Sequence, residues 1–141
     1  MEITANALQT VEANDNVLFT DTAVKGKNCC SIIYRDGSGL VTLRGITNQC
    51  RARFKVTFSA NVAIPTGGTV APISFALAIN GETIGPTTMI STPAAVEQFN
   101  NIATSIYLDV PSSCCYTISI KNTGEEDADI QNANLIIERV A

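Results

Sequence analysis

Histidine and tryptophan are absent from this 141-residue chain, and charge is sparse. Without histidine, the commonest general base and metal ligand is missing. No Gly-X-Ser-X-Gly elbow stands in its place. The glycine-rich Pro65-Thr66-Gly67-Gly68 lacks the Lys-Ser/Thr pair of a phosphate loop and reads as a hairpin turn. These gaps argue against an enzyme, and no catalytic residue, cofactor or metal is expected. Lys and Arg total 9, scattered along the chain, against 13 Asp and Glu, for a net charge of −4. Nucleic-acid affinity comes from clustered cations, so a nucleic-acid partner is not expected. No run approaches the roughly 18 apolar residues of a membrane span. The opening MEITANALQTVEAND has neither a basic n-region nor an apolar h-region, so it does not read as a secretory signal. With Met1 as the natural start, export would be signal-independent, by lysis, or within a particle. Asn-X-Ser/Thr sequons are missing too, which removes one mark of a glycosylated secreted domain.

What is present is apolar. Hydrophobic residues make up 45% and charged residues 16%, below the roughly 25% charge of soluble domains. A sparsely charged globular chain often hides apolar surface against copies of itself. The length fits one domain with a continuous core that needs no staples.

Turn signals recur at short intervals: Asp36-Gly37-Ser38-Gly39, Pro65-Thr66-Gly67-Gly68, Asn80-Gly81, Gly85-Pro86, Pro111-Ser112-Ser113 and Asn122-Thr123-Gly124. Period-two runs lie between them. In RARFKVTF, Ala52, Phe54, Val56 and Phe58 share one face, and Arg51, Arg53, Lys55 and Thr57 the other. In ISFALAING, Ile73, Phe75, Leu77 and Ile79 point one way. In IATSIYLDV, Ile102, Thr104, Ile106, Leu108 and Val110 oppose Tyr107 and Asp109. This pattern predicts an all-β, antiparallel sandwich with one wet face per strand. Only PAAVEQFNN, residues 93–101, could pass for a helical turn. The last run, NANLIIERVA, is different. Ala133, Leu135 and Ile137 take one face, but Ile136 and Val140 put apolar groups on the other. Such a strand is buried on both sides, and another subunit is the simplest cover for the second.

Five cysteines occur as two vicinal pairs and a single residue: Cys29-Cys30, Cys50 and Cys114-Cys115. Alternation sends Cys114 inward with Tyr116 and Ile118, and Cys115 outward with Thr117. Cys50 shares the inward parity of Ala52 and Phe54. Metal sites want spacers that let two sulfurs converge, and adjacent cysteines do this badly. Two readings stay open. One is a disulfide framework, with Cys50 bridged to Cys114 inside the sandwich, or Cys115 to Cys29 or Cys30 at an edge or between subunits. The other is a set of reduced, buried small hydrophobes. The redox state of the compartment decides between them.

The acidic run Glu125-Glu126-Asp127-Ala128-Asp129 precedes the last strand. It could gather calcium, but such runs more often solvate a turn. The stripe Arg51, Arg53 and Lys55 offers contact to an acidic partner, or forms the charged wet face of an edge strand.

ALAINGETIGPTTM (76–89), SIYLDVPSSCCYTISIKNTG (105–124) and ADIQNANLIIERVA (128–141), with weaker echoes in NVLFTDT (16–22) and residues 38–58, resemble the trimeric jelly rolls of the TNF/C1q-like superfamily. The likeness is nearest to the heads of bacterial collagen-like surface and exosporium-type spore-coat proteins, and to similar heads in phage structural proteins. It implies a jelly roll that trimerises through its inner sheet, with Tyr107 and the Ile136 face near the threefold axis. Two departures stand out. No collagen-like Gly-X-Y stalk precedes the head, and the family's glycine-tyrosine start to the central strand is here Gln49-Cys50-Arg51. Residues 1–15 are then expected as an attaching N-terminal arm, and 16–141 as the jelly-roll domain. The expected function is that of a non-enzymatic homotrimer on a particle surface, foremost a phage capsid decoration or fibre-head protein on the virion. The alternatives are a glycan- or host-surface-binding module, and a component of a bacterial cell or spore surface.

Overall fold

The computed structural model describes residues 1–25, 31–47 and 49–141. Twelve strands appear among them: β1 (Glu2–Ala5), β2 (Gln9–Val11), β3 (Asp21–Val24), β4 (Ile32–Tyr34), β5 (Val41–Arg44), β6 (Arg51–Ala63), β7 (Ile73–Ile79), β8 (Glu82–Thr83), β9 (Met89–Ser91), β10 (Asn100–Pro111), β11 (Cys115–Asn122) and β12 (Ala128–Arg139). Every pairing is antiparallel. One sheet runs β10-β6-β12-β1-β3, with β2 also on β12. The other runs β4-β5-β11-β7-β8, with β9 also on β7. From β5 to β6 to β7, and again from β9 through β10 and β11 to β12, the chain changes sheet at each step, which is the jelly-roll path.

The alternation read from the sequence decides which side chains meet between the sheets. Ala52, Phe54, Val56, Phe58, Ala60 and Val62 of β6 are all buried, while the residues between them are not. Leu108, Val110, Leu135 and Ile137 join them from the flanking strands. Val41, Leu43, Phe75, Leu77, Ile118 and Ile120 close the core from the opposite sheet. Phe19 enters from the segment before β3 and meets Phe58 edge to face, centroids 6.3 Å apart and planes at 86°. The Val17 amide donates to the Ile120 carbonyl at 2.8 Å, so this segment seals one side of the sandwich with Val17 and Phe19 buried. The Asn80-Gly81 turn joins β7 to β8 with both residues at positive φ, 51° and 88°, as a two-residue hairpin of matching twist requires.

Three expectations are corrected. Residues 1–15 do not stand apart as an arm. They supply β1 and β2 along β12, and Ile3, Ala5 and Val11 are buried in the core. Residues 93–99 form bends and turns with Glu97 at φ 59°. The described helical turn is instead the 3-10 turn Gly85–Thr87, where the proline sits in the first turn. β6 is not an edge strand: it pairs with β10 on one side and β12 on the other. Arg51, Arg53 and Lys55 therefore sit inside a sheet face. One further strand departs from simple alternation. In β7, Ala76 and Ala78 are buried as well as Phe75 and Leu77.

Candidate functional site

The outer face of the β10-β6-β12-β1-β3 sheet carries most of the residues singled out above. Directly opposed residues share a face, so the pairing register reads it off row by row. Tyr107 lies across from Lys55, and Lys55 across from Glu138. The next row is Ser105, Thr57, Ile136, Glu2 and Val24. Ala103, Ser59, Asn134 and Thr4 follow. Tyr107 is thus a diagonal neighbour of Thr57, and Ile136 lies one strand further on, across β6. Val140, just past the end of β12, donates its amide to the Arg53 carbonyl at 2.8 Å. The three residues expected at a subunit contact share one face, with β6 between Tyr107 and the other two. Tyr107 is 61% exposed and Val140 44%, while Ile136 is half-buried. Val24, 56% exposed, lies at the far margin of the same face, across Glu2 from Ile136, and was not foreseen from the sequence.

The two ends of this face differ chemically. At one end Arg53 grips Asp109 with two parallel hydrogen bonds, Nε to Oδ1 at 2.8 Å and Nη2 to Oδ2 at 3.0 Å. Arg51 adds a looser contact, Nη1 to Oδ2 at 3.4 Å. The Arg53 hydrogen bond holds the Asp109 carboxyl below its ordinary range against partial desolvation, and the Arg51 charge assists. The same bond raises Arg53. Two of the stripe's three cations are therefore already engaged within the chain. Toward the other end, charge gives way to hydroxyls and amides. Thr57 and Ser105 hydroxyls meet at 3.1 Å, and Asn134 donates to Glu2 at 2.9 Å. Beyond them Asn101, Asn61, Asn132 and Asn6 form a hydrogen-bonded row. Sequence reasoning missed this row. The signal was available: asparagine is depleted in strands, yet it recurs here at outward strand positions.

The three described cysteines collect at the charged end of the sandwich. Cys50, Cys114 and Cys115 are all exposed and carry no disulfide among the described residues. Cys29 and Cys30 lie outside the described residues. The outward placement of Cys115 agrees with alternation, but the inward placement of Cys50 and Cys114 is corrected. Alternation holds only inside a strand, and β6 begins at Arg51 and β11 at Cys115. Cys114 instead closes a turn whose Ser113 sits at φ 61°. A bridge between Cys50 and Cys114 inside the core is thereby excluded in this structure. The Ser112 amide donates to the Cys50 carbonyl at 2.9 Å, and the Gly45 amide to the Cys114 carbonyl at 3.0 Å. Gly45 passes so close to Pro111 that a Cβ would overlap the Pro111 carbonyl. A shallow cleft of about 350 Å³ opens here between Arg44, Ile46, Thr47, Ser113, Cys114 and Cys115.

At the opposite end, the acidic loop is organised by one buried amide. Asn122 Nδ2 donates to the Val11 and Glu126 carbonyls, both at 3.0 Å, and its Oδ1 accepts from the Gly124 amide at 2.9 Å. Glu125, Glu126 and Asp127 remain exposed, and Asp129 turns back to accept from Thr10 at 2.6 Å. The carboxylates do not converge, and no group of three acidic or cysteine side chains among the described residues is placed to hold a metal.

No family model matches the sequence, and no curated protein matches it. Solved structures do share its shape. The globular domain of zebrafish complement 1qA superposes with a TM-score of 0.59 over 96% of this chain and 93% of that one, at 8% identity. CBM35 from Cellvibrio japonicus Abf62 aligns at a TM-score of 0.44 and 13% identity, covering 100% and 99%. Xyl-CBM35 in complex with a disaccharide containing glucuronic acid aligns at 0.45 and 15%, covering 99% and 98%. At such identities the likeness is one of fold, and the complement domain carries it. The chain is an all-β sandwich with the TNF/C1q-like jelly-roll fold.

Proposed function

We propose that this jelly roll is a non-enzymatic homotrimeric module that covers or displays on a particle surface, foremost as a phage capsid decoration or fibre-head protein on the virion. One observation carries the reading. Tyr107, Ile136, Val140 and Val24 put apolar surface at intervals across a single sheet face, whose other residues are charged toward one end and small hydroxyls and amides toward the other. Water is a poor partner for those apolar side chains, and the rows of small hydroxyls and amides, which lack bulky charge, can lie close to a copy of the chain. The resemblance of the sequence to trimeric jelly rolls supports a closed ring as the form of association. The lack of histidine supports a structural role over a catalytic one.

In this reading, the Arg51, Arg53 and Lys55 stripe belongs to the subunit contact. The loops and thiols at the sandwich ends are left for the particle. Electron microscopy of the native source, with the protein labelled, tests the setting. Regular positions on a shell or fibre are expected. A protein found only free in the cytosol would overturn it, and a bacterial cell or spore surface would replace the virion if the label fell there.

A further inference from the structure

The asparagine row on the outer face has a direction, and a single backbone group sets it. Asn101 Nδ2 donates to the Ala60 carbonyl at 3.2 Å and to Asn61 Oδ1 at 3.3 Å. A carbonyl only accepts, so the nitrogen of Asn101 must face β6 and its Oδ1 must face away. Asn61 then presents oxygen to Asn101 and nitrogen to Asn132, donating to Asn132 Oδ1 at 3.1 Å. Asn132 sits at φ 56° where the β12–β6 register shifts, and passes the polarity on to Asn6 Oδ1 at 2.7 Å. The row thus ends with an acceptor, Asn101 Oδ1, on the margin strand β10. It ends with a donor, Asn6 Nδ2, in the turn between β1 and β2. Neither atom has a hydrogen-bond partner among the described residues.

In water such a row contributes little, because each amide could bond solvent equally well, and asparagine disfavours strands. Once water is expelled the balance changes. Bonds within the row strengthen, and the two unpaired ends become costly unless they meet partners. A cyclic trimer is heterologous: one patch of each copy meets a different patch of the next. The acceptor end lies on the margin strand β10, and the donor end lies on the same outer face beyond β12, inside the margin that β3 forms.

We infer that the asparagine row is the polar clasp between copies of this chain. Asn6 Nδ2 of one subunit donates to Asn101 Oδ1 of the next subunit, and the rows join into one closed amide ring. The ring presupposes the trimer proposed above, and goes beyond it by fixing which patches meet and in which rotational sense.

The test is Asn6→Asp, measured by sedimentation of the full chain at pH 7. An aspartate oxygen still accepts from Asn132, so the row within the chain survives. The outward donor is lost, and an acceptor faces an acceptor. The dissociation constant is expected to rise at least tenfold, while the melting temperature of the separated subunit stays unchanged. Asn6→Gln keeps the amide and is expected to recover part of the affinity. A wild-type trimer that Asn6→Asp leaves equally tight would overturn the ring and leave the trimer standing. A wild-type monomer would overturn both.

Discussion

Arg53 holds Asp109 across the β6–β10 pairing, in a two-point contact that draws the carboxyl below its ordinary range. The folded pKa lies below the unfolded one. The stabilising contribution is therefore present above the ordinary carboxylate value of about 3.9 and is lost as pH falls through the folded value. Urea midpoints of wild type and Asp109→Asn, measured at pH 7 and at about pH 3, check this. The gap between the two proteins should narrow in acid. A gap independent of pH would contradict it.

Ile136 is half-buried on the outer face, so a charge there leaves the core of a single subunit intact. Ile136→Glu should keep the β-sheet circular dichroism and weaken self-association at least about a hundredfold, given the ~3 kcal/mol cost of an unpaired charge in a closed contact. Loss of the fold, or unchanged association, would count against the face as the contact.

Much of this was legible in the chain. The alternation in residues 51–58 and 102–110 gave both faces of β6 and β10 correctly, because a long strand over a core leaves little choice of register. Ile136 stood out because it broke the pattern of the strand that holds it. The cysteines misled for the complementary reason. Cys50 and Cys114 lie one residue outside their strands, where parity no longer dictates direction. The same limit hid the roles of residues 1–15. Their runs are too short for a period, and it is pairing with β12 that orders them. The asparagine row needs four segments brought side by side from distant parts of the chain, which no local pattern reveals.

Asn122 is 1% exposed and ties β11 to both β2 and the acidic loop. Asn122→Ala would strand the Val11 and Glu126 carbonyls and the Gly124 amide. A loss of about 3 kcal/mol in unfolding free energy is expected, by denaturant titration. Glu125→Ala, in the same loop but exposed, should change it by no more than about 0.5 kcal/mol.

Cys50, Cys114 and Cys115 are open to solvent. In the reduced protein an aromatic disulfide reagent should titrate these thiols in the native state, without denaturant. Replacing the three with serine should shift stability by no more than about 0.5 kcal/mol. Thiols that react only after unfolding would contradict their exposure.

Everything proposed about function turns on whether the outer face of the β10-β6-β12-β1-β3 sheet is covered by sister chains. Native mass spectrometry of the wild-type protein at micromolar concentration answers this directly. The account predicts a species of three times the 14.9 kDa chain mass. A stable single chain at that concentration, with Tyr107, Ile136 and Val140 open to solvent labelling, would contradict it.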